Sequence, residues 1–289
     1  MSLIQIGLMD KTRELDPEMV QNVAAALNIQ VTRDLPQFWN AQATVIHLGA
    51  NKVPSGVWPV YLVKSLPPGE GGFHLDKHNQ PYAEVIATPD SEGWTVAASH
   101  EIVEMLVDPY GNRLQSSTSI EISGGKIEDG NGQYSYLVEA CDPCEADQYA
   151  YTIQGIAVSD FLTPHFYDLK ETAGSRYSFT GALKAPRQIL PGGYISWVDQ
   201  STEEWQQLQF VDPNQPPKIV NLGPAKGKSL REWVHTCISD PKLQDTEYTS
   251  KHSPNKKLYA GAREHRMALD KIAKERMKAY EAESRKRGK

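Results

Sequence analysis

The sequence predicts an α+β protein: a mixed, twisted sheet with one chemically loaded helix, then a β- and turn-rich region, then a charged C-terminal helix. Three observations point there. Over the first 109 residues, short apolar runs of strand character alternate with two helical patterns. Between 110 and 212, Gly, Pro and Asp punctuate short β-prone runs. From 258 onward, Lys, Arg and Glu dominate with only sparse apolar positions. At 289 residues, 39% hydrophobic and 23% charged, the chain can form one large domain or two small ones and bury a core without disulfides.

The first strand is expected at 3–9, where LIQIGLM is nearly all apolar. Asp16-Pro17-Glu18 then opens a helix, with Asp16 as N-cap and Pro17 at the first helical position. Val20, Val23, Ala24 and Leu27 give that helix one apolar face. Further strands are expected at 43–49, 57–64 and 82–87. A second helix follows from about Trp94 to Val107 and ends at Asp108-Pro109. Short strands are expected at 119–123, 135–140 and 151–158, and more of them, with Pro/Gly turns, in 174–212. PNQPPKIVNLGPAK at 213–226 reads as a linker, and 258–287 as a charged helix with Leu258, Ala262, Leu269, Ile272 and Met277 as its apolar positions.

Composition excludes several classes. No run approaches the ~20 apolar residues that span a bilayer. The N-terminal residues lack the basic-then-apolar pattern of a signal peptide, so the expected compartment is cytoplasmic. Three cysteines, Cys141, Cys144 and Cys237, do not make a disulfide framework. The net charge of −6 divides unevenly: residues 251–289 carry thirteen Lys/Arg against five Asp/Glu, a net +8, which leaves −14 on the rest.

The second helix carries the chemistry. Within Ser99-His100-Glu101-Ile102-Val103-Glu104, His100 and Glu104 stand four apart and so share a helix face. An imidazole nitrogen and a carboxylate oxygen placed that way can bind one Zn²⁺. Glu101 lies beside the first ligand, where it can take a proton from a water whose pKa the metal lowers from about 16 to about 7. The small and apolar flanks, Trp94 to Ala98 and Ile102 to Val107, bury this face, and buried His and Glu side chains require compensation. The acid-rich stretch Val138-Glu139-Ala140-Cys141-Asp142-Pro143-Cys144-Glu145 is the natural source of a third ligand. Its CxxC reads alternatively as half a zinc knuckle or a redox pair. Gly71-Gly72-Phe73-His74 and Pro81 to Val85 are candidates for a substrate-binding edge strand, or for an ordinary sheet edge.

ASHEIVEMLVDP followed by EACDPC resembles a group of bacterial zincin-like metallopeptidases with the pattern SHExxExxxDP, then Glu, Asp and Cys at fixed spacing. The resemblance runs from residue 1 to about 210. It implies a zincin-like fold, and the expected organisation is a catalytic domain at 1–212 (subdomains 1–109 and 110–212), followed on sequence pattern by a linker or extension at 213–257 and a basic helix at 258–289. It implies His100 and Glu104 as metal ligands, Glu101 as general base, and Glu139 or Asp142 as third ligand, with Glu139 preferred. Asp142 is alternatively a residue that orients a ligand from behind. Zn²⁺ is the expected metal, although the carboxylate at Glu104, where better-known zincins have His, also suits Mn²⁺ or Ca²⁺.

The expected substrate is a peptide or protein. The alternatives are a hydrolase of non-peptide amides and a non-catalytic protein whose metal staples residues 100–145. His165, Tyr149, Tyr151, Tyr167 and Tyr194 are candidates to line the cleft, and Asp108 to turn the helix end. His47, His78 and His235 read as structural. The basic tail is a solvated helix or a contact for nucleic acid, another anionic or protein partner, or the acidic body.

Overall fold

The computed structural model describes residues 3–49, 52–66, 71–91, 93–229 and 231–233. The chain divides into two units, Met1–Ser253 and Pro254–Lys289, and the helix expected at 258–289 lies outside the described residues.

Strands β1 (Ile4–Asp10), β2 (Ala43–His47), β3 (Val57–Val63), β4 (Gly72–Lys77) and β5 (Gln80–Ile86) form a sheet in the order β2-β1-β3-β5-β4. The first four in that order pair in parallel, and β4 closes the edge antiparallel to β5. Alternating residues Ile6, Leu8, Val60, Leu62, Ala83 and Val85 are buried, which fixes the register. Helix α1 (Pro17–Ile29) makes the crossover from β1 to β2; Asp16 Oδ1 accepts the Glu18 amide at 3.0 Å, as an N-cap does. A π-helical turn, Gln30–Asp34, extends it.

Helix α2 (Gly93–Val107) has no Gly or Pro after its first residue and is apolar on most sides, so it is buried almost all round. It packs against β4 and β5 on one side and a small hairpin, β8 (Tyr151–Ile153) and β9 (Ile156–Val158), on another. Ser99 fixes its depth: the hydroxyl donates to Gln30 Oε1 at 2.8 Å and accepts the Ser159 amide at 2.9 Å.

The second sheet is antiparallel, in the order β12-β11-β10-β7-β6. It comprises β6 (Leu114–Ser123), β7 (Lys126–Leu137), β10 (Tyr194–Asp199), β11 (Glu204–Gln209) and β12 (Lys218–Gly223). Trp197 is fully buried at its centre, stacked on Tyr134 at 5.0 Å between ring centroids. No helix among the described residues is long and apolar enough to cross a membrane.

Three expectations change. The strands expected at 119–123 and 135–140 are parts of one long hairpin, β6–β7, whose middle is too polar to show strand alternation; Leu137 ends it, and 138–140 leave the sheet. The strand expected at 151–158 is split by a tight turn at Gln154-Gly155, both with positive φ (51° and 82°). The linker expected at 213–226 contains β12, which pairs along β11 from Gln209↔Lys218 to Trp205↔Gly223. An edge strand held by backbone pairing needs little apolar patterning, and Pro216-Pro217 dominated the local signal.

Candidate metal centre

α2 carries His100, Glu101 and Glu104 into a space bounded by β4, the loop after β7 and the segment after β12. All three are 8% exposed or less. His100 Nε2 stands 3.1 Å from Glu104 Oε2, the i,i+4 pairing the helix dictates, and 3.1 Å from Asp142 Oδ1. At 3.1 Å these are direct His–carboxylate contacts; adjacent ligand atoms of a tetrahedral zinc with bonds of about 2.0–2.2 Å lie roughly 3.3–3.6 Å apart, so a shared cation would need the three groups to open by a few tenths of an ångström.

The loop after β7 is keyed onto the helix. The Cys141 amide donates to Glu104 Oε1 at 3.0 Å, which leaves Oε2 facing the cluster. A single helical turn, Asp142–Cys144, follows. Gly193 packs against it so closely that a Cβ there would lie 2.6 Å from the Asp142 carbonyl oxygen and 2.7 Å from that of Pro143. The structure thus brings together every expected site residue: His100, Glu101, Glu104, Glu139 and Asp142. Convergent donor groups form around His100–Glu104–Cys141, His74–Glu104–Glu139 and His100–Asp142–Glu145.

Two residues in the cluster were not anticipated as site residues. His74, fully buried on edge strand β4, places Nδ1 3.2 Å from Glu101 Oε2 and 3.7 Å from Glu104 Oε2. Its neighbour Gly72 lets the strand approach, since a Cβ there would stand 3.0 Å from Glu101 Oε1. A His on an otherwise apolar strand face was the available signal. Arg231, 7% exposed, lies beyond β12. Its guanidinium stands 3.5 Å from Glu139 Oε1, 3.8 Å from Glu101 Oε2, 3.9 Å from Asp142 Oδ2 and 4.0 Å from Glu104 Oε2. No local pattern announces it.

The electrostatics are those of a carboxylate nest with too little positive charge. Burial pushes the Glu139 carboxyl well above its ordinary range; Arg231 opposes this, and Glu104, Asp142 and Asp108 add to it. Burial and then Glu104 raise Asp142 to about 6, against the pull of His100 and Arg231. Burial disfavours the charged form of His100, yet Glu104, Asp142 and Glu101 together hold its pKa well above the usual value. Burial opposes ionisation of Glu104 too, but His100, Arg231 and His74 overcome it and lower its pKa. Among the described residues, six buried polar atoms here have ion-pair contacts at most and no hydrogen-bond partner: His74 Nε2, Glu104 Oε2, and both carboxylate oxygens of Glu139 and of Asp142. Buried polar atoms are rarely left so. Four carboxylates face three groups that can be cationic, so the donor set fits a divalent cation.

The other candidates separate. Burial pushes the phenols of Tyr167 and Tyr194 well above the usual range; Glu139 and Asp142 add to this at Tyr167, and Asp142 and Glu145 at Tyr194, so both border the nest. The Tyr167 hydroxyl is buried with no hydrogen-bond partner among the described residues. Tyr151 instead donates to Asp34 Oδ2 at 2.9 Å, in the polar network that holds α1. Tyr149 lies in a one-turn helix, Asp147–Tyr149, where burial pushes its phenol up and Cys144 adds to this. His165 is half exposed and paired with Asp168 at 2.8 Å. Asp108 turns the chain after α2, its Oδ2 accepting the Arg113 amide at 2.7 Å. His78 sits in the β4–β5 turn with φ 55°, and His235 lies outside the described residues. Cys141 and Cys144 are free and buried, with burial pushing both thiols well up, which disfavours redox chemistry.

No protein-family model, curated protein or solved structure matches this chain.

Proposed function

We propose that this chain is a zinc-dependent hydrolase with a zincin-like fold, acting as a metallopeptidase. The observation that carries the reading is the convergence of six buried donor atoms on His74, Glu104, Glu139 and Asp142, with ion-pair contacts at most and no hydrogen-bond partner among the described residues, beside the His100–Glu101–Glu104 helix turn. His100 and Glu104 would hold the metal, completed by Asp142 or Glu139. The 3.1 Å approach of Asp142 to His100 favours Asp142, while Glu139 shares a donor group with His74 and Glu104. A bound Zn²⁺ would supply Lewis acidity.

The chain's own groups do the rest. Glu101 takes the proton of the attacking water and passes it to the leaving amine. His74 Nδ1, 3.2 Å away, orients that carboxylate. Tyr167 or Tyr194 presents a phenol to the developing oxyanion. β4 is the edge strand of its sheet among the described residues and passes over Glu101 at Gly72, so an extended peptide added along it would bring its backbone near the base.

A second reading has its own support. His100, Glu101, Glu104, Glu139 and Asp142 are all at 8% exposure or less, and such burial suits a metal that only staples α2 to the loop after β7. We place the chain in the cytoplasm and assign its basic tail an anionic or protein partner.

Elemental analysis of wild type beside His100→Ala and Glu139→Ala tests the metal reading. About one zinc per chain in wild type, lost in both variants, supports it, and a wild type that takes up none overturns it. Glu101→Gln then separates the readings: loss of peptide hydrolysis with metal retained supports the enzyme, and no hydrolysis by zinc-loaded wild type across a peptide library supports the staple.

A further inference from the structure

Arg231 occupies an unusual position for a cation in a chain read as metal-binding. Its guanidinium lies within 4.0 Å of Glu101, Glu104, Glu139 and Asp142, and it faces Glu104 Oε2, the same oxygen that stands 3.1 Å from His100 Nε2. It lies on the arm that follows β12, outside both sheets, where residues 231–233 are helical. The Arg231 amide donates to the Gly111 carbonyl at 3.1 Å, and Trp233 Nε1 donates to the Leu222 carbonyl at 3.0 Å. Gly111, with φ +59°, makes the seat: a Cβ there would lie 2.1 Å from Arg231 Cβ.

A guanidinium and a divalent cation have the same reason to enter this nest and repel each other inside it. Resting on the metal-centre reading above, we propose that Arg231 is a resident counter-ion that competes with the divalent cation, so that the arm around Arg231 acts as a latch on the centre. In the metal-free chain it neutralises buried carboxylates that would otherwise be uncompensated. The metal takes over that role when it binds, and the guanidinium withdraws. Loading is thereby linked to the position of a segment that comes more than a hundred residues after α2 in the chain.

The test uses the full chain stripped with a chelator and titrated with Zn²⁺ by calorimetry, in wild type, Arg231→Gln and Gly111→Ala. Gly111→Ala displaces the arm without touching a donor atom, and it serves if Arg231→Gln does not fold. Both variants are expected to bind Zn²⁺ at least about tenfold more tightly than wild type, because the competing charge is removed or displaced. Metal-free Arg231→Gln is expected to melt below metal-free wild type and to gain more in melting temperature on adding zinc. Equal or weaker zinc affinity in the variants overturns the latch and makes Arg231 a partner of the loaded centre, while leaving the metal reading intact. No zinc binding by any of the three chains overturns both.

Discussion

The Cys141 amide donates to Glu104 Oε1 at 3.0 Å, which ties the acid-rich loop after β7 directly to the helix carrying His100. One carboxylate thus does two jobs: one oxygen holds the loop and the other faces the nest. The two are separable. Glu104→Gln keeps a carbonyl oxygen for the amide, whereas Glu104→Ala orphans a buried N–H at a cost of about 1–3 kcal/mol. Both variants are expected to lose bound metal. In chelator, Glu104→Ala is expected to melt roughly 2–10 °C below Glu104→Gln. Identical melting temperatures would show that the loop is held by other contacts.

Gly193 backs the turn that presents Asp142, with no room for a methyl group against two backbone carbonyls. Gly193→Ala is expected to push that turn and weaken zinc binding by about tenfold or more, as loss of ligand support does. A competition titration against a chromogenic chelator reads this directly. Unchanged affinity would exclude Asp142 as a ligand whose position matters.

Gly72 lies against Glu101, and Gly71 has nothing within 4 Å of where a Cβ would be. Gly72→Ala is expected to displace Glu101 and lower kcat by up to about 10²-fold, with zinc content unchanged. Gly71→Ala is the silent companion. If the two alanine variants turn over substrate equally, Glu101 is not the base.

Ser99 holds α2 at its depth through Gln30 and the Ser159 amide. Ser99→Ala leaves two buried polar groups without this partner and is expected to lower the unfolding free energy by about 2–4 kcal/mol. Urea denaturation measures the shift. Because Ser99 points away from the nest, metal stoichiometry is expected to be unchanged.

The helix residues of the centre were readable because the 3.6-residue period alone puts His100 and Glu104 on one face, and an apolar helix makes polar residues conspicuous. Glu139 and Asp142 were readable as an acid-rich stretch, but not their division of labour, which depends on how Gly193 and Glu104 set the loop. His74 was hidden because a strand's partners are set by register and not by sequence distance: β4 meets α2 only after pairing antiparallel with β5. Arg231 was hidden more deeply, since its place follows from β12 adding to β11, and β12 has the composition of a linker. Local rules foretell which residues share a face, and they fall silent where a contact is made by the topology of a whole sheet.

The ion-pair cluster draws on His74 at one end and Arg231 at the other, so nearly the whole body of the chain must be made before its parts can meet. During synthesis the first sheet and α2 can form while the loop after β7 and the arm beyond β12 are still inside the ribosome or not yet translated. For that interval His100, Glu101 and Glu104 are without their later partners, so the cluster of charges cannot be completed until Arg231 has emerged.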